Sequence, residues 1–134
     1  MSEYKAIVKN TKANGRRPGG VAILCHKDWQ MTEIRGLGEG PEDLAATVQD
    51  KRGNKTIIAT TYVRPGKKVN ESWIKRISEK AHREKRPLAI SGDFNSPNET
   101  LGSNSTTSSG RILKETMEAS NLNWVENKEP TYYS

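Results

Sequence analysis

Asp93 and Asn95 stand two residues apart at the end of an apolar run, Leu88-Ala89-Ile90-Ser91-Gly92-Asp93-Phe94-Asn95. Two apart on an extended chain means the same face. A carboxylate and a carboxamide that project together from a strand end suit phosphate, water and a hard metal ion. Asp93 can ligate Mg²⁺ or polarise a water, and Asn95 can donate to a phosphate oxygen. Gly92 allows a tight approach or an unusual dihedral just before them. The same pair would also cap a turn ahead of Pro97. Spacing alone leaves both readings open.

These groups need elements to hold them. Residues 4–9, 20–27 and 31–35 carry strand patterns. Residues 44–49 and 56–63 read as a hairpin around Asp50-Lys51-Arg52-Gly53-Asn54, which has the expected turn chemistry. Glu39, Glu42 and Asp43 fall in a glycine-rich loop with no metal-ligand pattern. Asn70 suits a helix N-cap, with Glu71 in the first turn. Trp73, Ile74, Ile77 and Ala81 then recur at helical spacing, and Pro87 stops the helix. Residues 88–91 form the next strand. A second helix over about 110–120 places Ile112, Leu113 and Met117 on one side, and a short strand near Trp124-Val125 follows. Strands, helix, strand, helix, strand implies an α+β protein with helices packed on a mixed sheet.

The 134 residues suit one domain. A hydrophobic content of 32% allows only a thin core. Cys25 is alone in the chain, which excludes an intrachain disulfide, and its apolar setting suits a buried thiol. No signal peptide or membrane-length apolar run is present, so an intracellular protein, nuclear or cytoplasmic, is expected with no membrane partner. Between Arg64 and Arg86, nine Lys or Arg face three Glu, a surplus equal to the +6 of the whole chain. Such a segment suits a polyanion or a solvated helix face. A second group, Lys5, Lys9, Lys12, Arg16 and Arg17, tips the balance towards nucleic acid.

Five stretches in order carry a family resemblance. They are Arg17-Pro18-Gly19-Gly20-Val21-Ala22-Ile23-Leu24; Thr60-Thr61-Tyr62-Val63-Arg64-Pro65; Ile90-Ser91-Gly92-Asp93-Phe94-Asn95; Leu101-Gly102-Ser103 with Gly110-Arg111-Ile112-Leu113; and Pro130-Thr131-Tyr132-Tyr133-Ser134. Together they resemble the endonuclease/exonuclease/phosphatase superfamily, above all the apurinic-type endonuclease domain of non-LTR (LINE-type) retrotransposons. The resemblance implies a partial β-sandwich flanked by helices and Mg²⁺-dependent (or Mn²⁺-dependent) cleavage of a DNA phosphodiester. Asp93 would orient or deprotonate the attacking water and, with Asn95, serve the metal. Asn95 would hold the phosphate, and Tyr62 would donate to it. Ser96 and Thr131 would bind substrate; Arg64 and Arg111 would contact the DNA backbone, an expectation drawn from their charge rather than from a motif. Without the resemblance, Tyr62 is an ordinary strand aromatic and Arg111 a solvated helix start.

The family's opening Asn strand and Gln-Glu pair have no counterpart here, nor does its closing Ser-Asp-His triplet. His26 and His82, the chain's two histidines, stand in other contexts. Residues 1–134 therefore read as a single, incomplete endonuclease-like domain lacking outer strands, inactive or weak alone because the missing acid/base groups act as a unit. Exposed sheet edges would favour a homo-oligomer. The resemblance also implies a place in a larger polyprotein with reverse transcriptase. A non-catalytic nucleic-acid-binding or self-assembling module is the alternative from another class. A phosphatase or phosphodiesterase of the same superfamily is a third.

Overall fold

The computed structural model describes residues 3–11, 19–64 and 66–93. Six strands form where the apolar patterns lie: β1 (Tyr4–Thr11), β2 (Gly19–His26), β3 (Gln30–Ile34), β4 (Asp43–Gln49), β5 (Lys55–Tyr62) and β6 (Leu88–Asp93). One helix, α1 (Glu71–Glu84), links β5 to β6. β1 and β2 pair antiparallel as a two-stranded sheet. The other four follow the order β3-β4-β5-β6, with β5–β6 parallel across the α1 crossover and the remaining pairs antiparallel.

The central sheet is covered on both faces, which explains why Leu44, Ala45 and Ala46 are consecutively buried on β4. Ala45, Ile57, Ala59 and Val63 share one core with Trp73, Ile74, Ile77 and Ala81 of α1. On the opposite face Leu44 and Ala46 join Ile23 of β2, with Ile7, Val21, Met31 and Ile58 packed around them. The layers are thus β1–β2, the central sheet, and α1. The α+β reading, a partial sandwich flanked by helix, holds for the described residues.

Local chemistry sets the element ends. The Asn70 side chain accepts the Trp73 N–H at 3.3 Å, as an N-cap should. The helix closes at Lys85, which adopts the left-handed conformation (φ 54°) so that the Lys85 and Arg86 N–H groups reach the His82 and Ala81 carbonyls. In the β4–β5 hairpin, Asp50 accepts the N–H groups of Arg52 (2.9 Å) and Asn54 (3.0 Å). Gly53 supplies the positive φ of 87° that the turn requires. Cys25 is buried, as its neighbours imply. Most strand ends fall within a residue or two of the sequence reading, and two of the shifts bear on the site. β4 begins at Asp43, inside the expected loop, and β6 runs on to Asp93. The expected helix over 110–120 and the strand near Trp124 lie outside the described residues. Among those residues, no helix is long and apolar enough to cross a membrane.

Candidate functional site

The parallel pair brings two of the sequence-selected residues together. Tyr62 is the register partner of Asp93 at the final rung of β5–β6, and the Val63 N–H bonds to the Asp93 carbonyl at 2.8 Å. In-register residues of neighbouring strands share a face. Leu88 and Ile90 pack towards the α1 core, so alternation places Asp93 on the side facing β1–β2. Ile58 packs against the β2 cluster, and alternation gives Tyr62 the same side. Asp93 is exposed and Tyr62 half-buried at this end of the sheet.

Gly92 makes the rung possible. Its φ is 150°, and a Cβ there would be driven into the Thr61 carbonyl of β5. Asn95, Ser96, Arg111 and Thr131 lie outside the described residues, so the structure leaves their roles where the resemblance put them.

A tight turn over residues 40–43 supports the Tyr62 side. Its two carboxylates carry no metal-ligand pattern in the sequence, yet both are buried (Glu42 8% and Asp43 6% exposed). Asp43 accepts three donors: the Thr61 hydroxyl at 2.5 Å, the Gly40 N–H at 2.7 Å and the Asn70 amide at 2.9 Å. One carboxylate thus ties the end of β5 to the N-cap of α1. Glu42 takes the Arg64 Nε–H at 2.7 Å, and its carbonyl accepts the Tyr62 N–H at 3.1 Å. The Arg64 guanidinium lies over the Tyr62 ring, 5.8 Å from its centre. From the other sheet, the Lys9 ammonium reaches the Gly40 and Asp43 carbonyls at 2.7 and 3.0 Å. Apart from the Gly40–Asp43 bond and the Arg64–Tyr62 contact, these pairings are long-range and join unremarkable residue types, so no local sequence signal announces them.

An open cleft of about 330 Å³ borders this turn, lined by Tyr62, Arg64, Lys67, Lys68 and Asn70 among others. The basic run is only partly neutralised. Lys80 and Arg86 pair with Glu84 at 2.6 and 3.1 Å, and Arg64 with Glu42. Lys67, Lys68, Lys75, Arg76, Arg83 and Lys85 are exposed and make no ion pair with described residues.

The neighbouring loop carries an acid-sensitive element. Burial pushes the Glu39 carboxyl up, but the N–H groups of Gly36, Glu39 and Leu37 and the charge of Lys9 outweigh it, so the net displacement is downward. A carboxyl lowered by folding adds stability above its ordinary value near 4 and loses it as pH falls through the folded-state value. The melting temperature should therefore hold from pH 7 to about 5 and fall below about 4. Glu39→Gln should lower it at pH 7 and make little difference at pH 2.5. An equal cost at both pH values would contradict the carboxylate's role.

The two histidines are at the other pole. His26 ends β2, beside Tyr4 and Trp29, and its ring faces Asp28 at 3.5 Å. His82 lies in the last turn of α1, just before the start of β6. Among the described residues no group of three metal-ligating side chains assembles. Glu42 and Asp43 are already spent on protein donors. Among the described residues, the carboxylate at the β5–β6 strand ends is that of Asp93, a hard oxygen donor of the kind that suits Mg²⁺ shared with a substrate phosphate and waters.

Comparison with known proteins follows the same line. The family described as endonuclease-reverse transcriptase matches residues 56–134. No curated protein matches the chain. Among solved structures, the chain is similar to one described as "Endonuclease domain of TRAS1, a telomere-specific non-LTR retrotransposon". The TM-score is 0.72 at 16% identity. The match covers 95% of this chain and 57% of that one, so this chain spans little more than half of its structural neighbour.

Proposed function

This chain belongs to the endonuclease-reverse transcriptase family, and on that premise we propose that it acts on DNA phosphodiester bonds in the presence of Mg²⁺. One observation supports this above the others: Tyr62 and Asp93, distant in sequence, occupy the same rung at the open end of the sheet. Asp93 orients the attacking water and accepts its proton. Tyr62 donates its hydroxyl hydrogen to a non-bridging phosphate oxygen, whose charge grows in the transition state. Asn95 and Ser96 follow Asp93 in sequence and supply phosphate contacts, and Arg111 and Thr131 contact the substrate as well. Asp93 and Asn95 would hold Mg²⁺ (or Mn²⁺), which would supply positive charge to stabilise the developing negative charge on the phosphate. Reverse transcriptase is the partner in the same polyprotein.

Turnover by these 134 residues is weak in this proposal. Neither histidine of the chain lies at the Tyr62–Asp93 end. Five rungs separate that end from the start of β6, roughly 17 Å of strand. No imidazole is therefore at hand to protonate the leaving oxygen.

The test is conversion of supercoiled plasmid to the nicked form with Mg²⁺. Slow nicking is expected, lost in Asp93→Ala and in excess chelator. Nicking by Asp93→Ala at the parent rate would remove Asp93 from the site, and rapid turnover by the parent chain would contradict the weakness. The exposed cations Lys75, Arg76 and Arg83 of α1, which make no ion pair with described residues, favour one further reading, a module that binds nucleic acid without cutting it. Affinity that falls steeply with salt, with no nicking at all, is its signature.

A further inference from the structure

We infer that Glu42 and Arg64 are positioning residues for Tyr62, an assignment that rests on the phosphodiester reading above. Arg64 follows Tyr62 by two residues, so on an extended backbone the two side chains leave the same face. The guanidinium covers the phenol ring at 5.8 Å. It is fixed there by its Nε–H, which donates to Glu42 at 2.7 Å. The Glu42 carboxylate is nearly buried, its side chain 10% exposed. A buried carboxylate without a counter-charge is costly, so Glu42 holds Arg64 firmly.

Glu42 also holds Tyr62 directly, because its carbonyl accepts the Tyr62 N–H at 3.1 Å. One residue thus restrains Tyr62 at the backbone and, through Arg64, at the ring. Neither contact needs substrate, so the ring is set before DNA arrives. A donor held in place loses little freedom on meeting the phosphate, and that saving appears in the rate of the step rather than in affinity. Glu42 has a further anchor: Asp43, next in sequence, is itself fixed by Thr61, Gly40 and Asn70.

The decisive measurement is aromatic NMR of tyrosine-labelled protein, with Tyr62 assigned by Tyr62→Phe. Arg64→Gln and Glu42→Gln should each shift the Tyr62 ring signals. The double variant should do no more than Arg64→Gln alone, since both act through one contact. Unchanged ring signals in a folded Arg64→Gln protein, or additive shifts in the double variant, would overturn the assignment. Should Glu42→Gln unfold the chain by stranding Arg64, the apolar pair Glu42→Met with Arg64→Leu keeps the comparison, because both charges go together. Where the parent chain nicks, Arg64→Gln should lower kcat about tenfold with KM nearly constant. A raised KM and a shallower salt dependence with kcat unchanged would instead make Arg64 a plain phosphate contact. The NMR arm needs no turnover, so it decides the assignment even where nicking is absent.

Discussion

A Gly92→Ala variant is expected to lose about 3 kcal/mol of stability, and with it any nicking that depends on Asp93. Two costs combine. At a φ of 150° an L side chain is strained, and the added methyl points into the Thr61 carbonyl on the neighbouring strand. Backbone cannot swing aside as a side chain can, so β6 must move away from β5. The rung that pairs Tyr62 with Asp93 is one residue beyond. Urea denaturation measures the loss. Hydrogen exchange at the Val63 N–H, which bonds to the Asp93 carbonyl, reports the separation locally. Ser91→Ala, at an exposed position on the same strand, should stay within about 0.5 kcal/mol. Native exchange at Val63 in Gly92→Ala would show that the close approach does not control the rung.

Trp73→Ala should cost about 3–5 kcal/mol, the range for large-to-small changes in a core. Trp73 is 1% exposed and belongs to the cluster that joins α1 to Ala45, Ile57 and Ala59. The small side chains of Ala45 and Ala59 in the same cluster leave room for the indole, and its removal would open a cavity there. Small domains are stable by only about 5–15 kcal/mol, so the variant should populate unfolded chain at moderate urea. The helix also carries the crossover between β5 and β6, so the parallel pair loosens with it. Lys75→Ala, exposed two residues along the same helix, serves as the neutral comparison. A loss below 1 kcal/mol in Trp73→Ala would mean that the helix does not anchor the sheet.

How much of this was legible beforehand depends on the range of the interaction. The α1 core residues Trp73, Ile74, Ile77 and Ala81 were readable because helical spacing is a local property. So were the Asn70 cap and the Asp50–Asn54 turn, each a matter of one side chain and a few backbone N–H groups. Asp93 at a strand end was readable from the apolar run before it. Its position opposite Tyr62 was not a matter of spacing, and only the family resemblance linked the two. The supports of Tyr62 were invisible. Asp43 meets Thr61 18 residues away and Asn70 27 away, and Glu42 meets Arg64 across 22. Pro41-Glu42-Asp43 after three glycines looks like solvated loop, and it folds into a buried turn because distant donors are delivered to it. Lys9 misled in the opposite direction. It counted towards a basic patch, but its ammonium is held by two carbonyls. Asn95 and the residues after it lie outside the described residues.

The crossover that joins β5 to β6 imposes an order in time. β4 and β5 are linked by a short turn, and hairpins of that kind close within microseconds. That step alone brings Glu42 beside Tyr62. Asp93 must wait until the intervening chain has been drawn in and α1 has docked, a slower event because long loops pay their closure entropy first. During synthesis, too, the half of the rung that holds Tyr62 leaves the ribosome before the half that holds Asp93. A newly made chain therefore spends its early life with Tyr62 and Asp93 apart, and brings them together only as β6 seats.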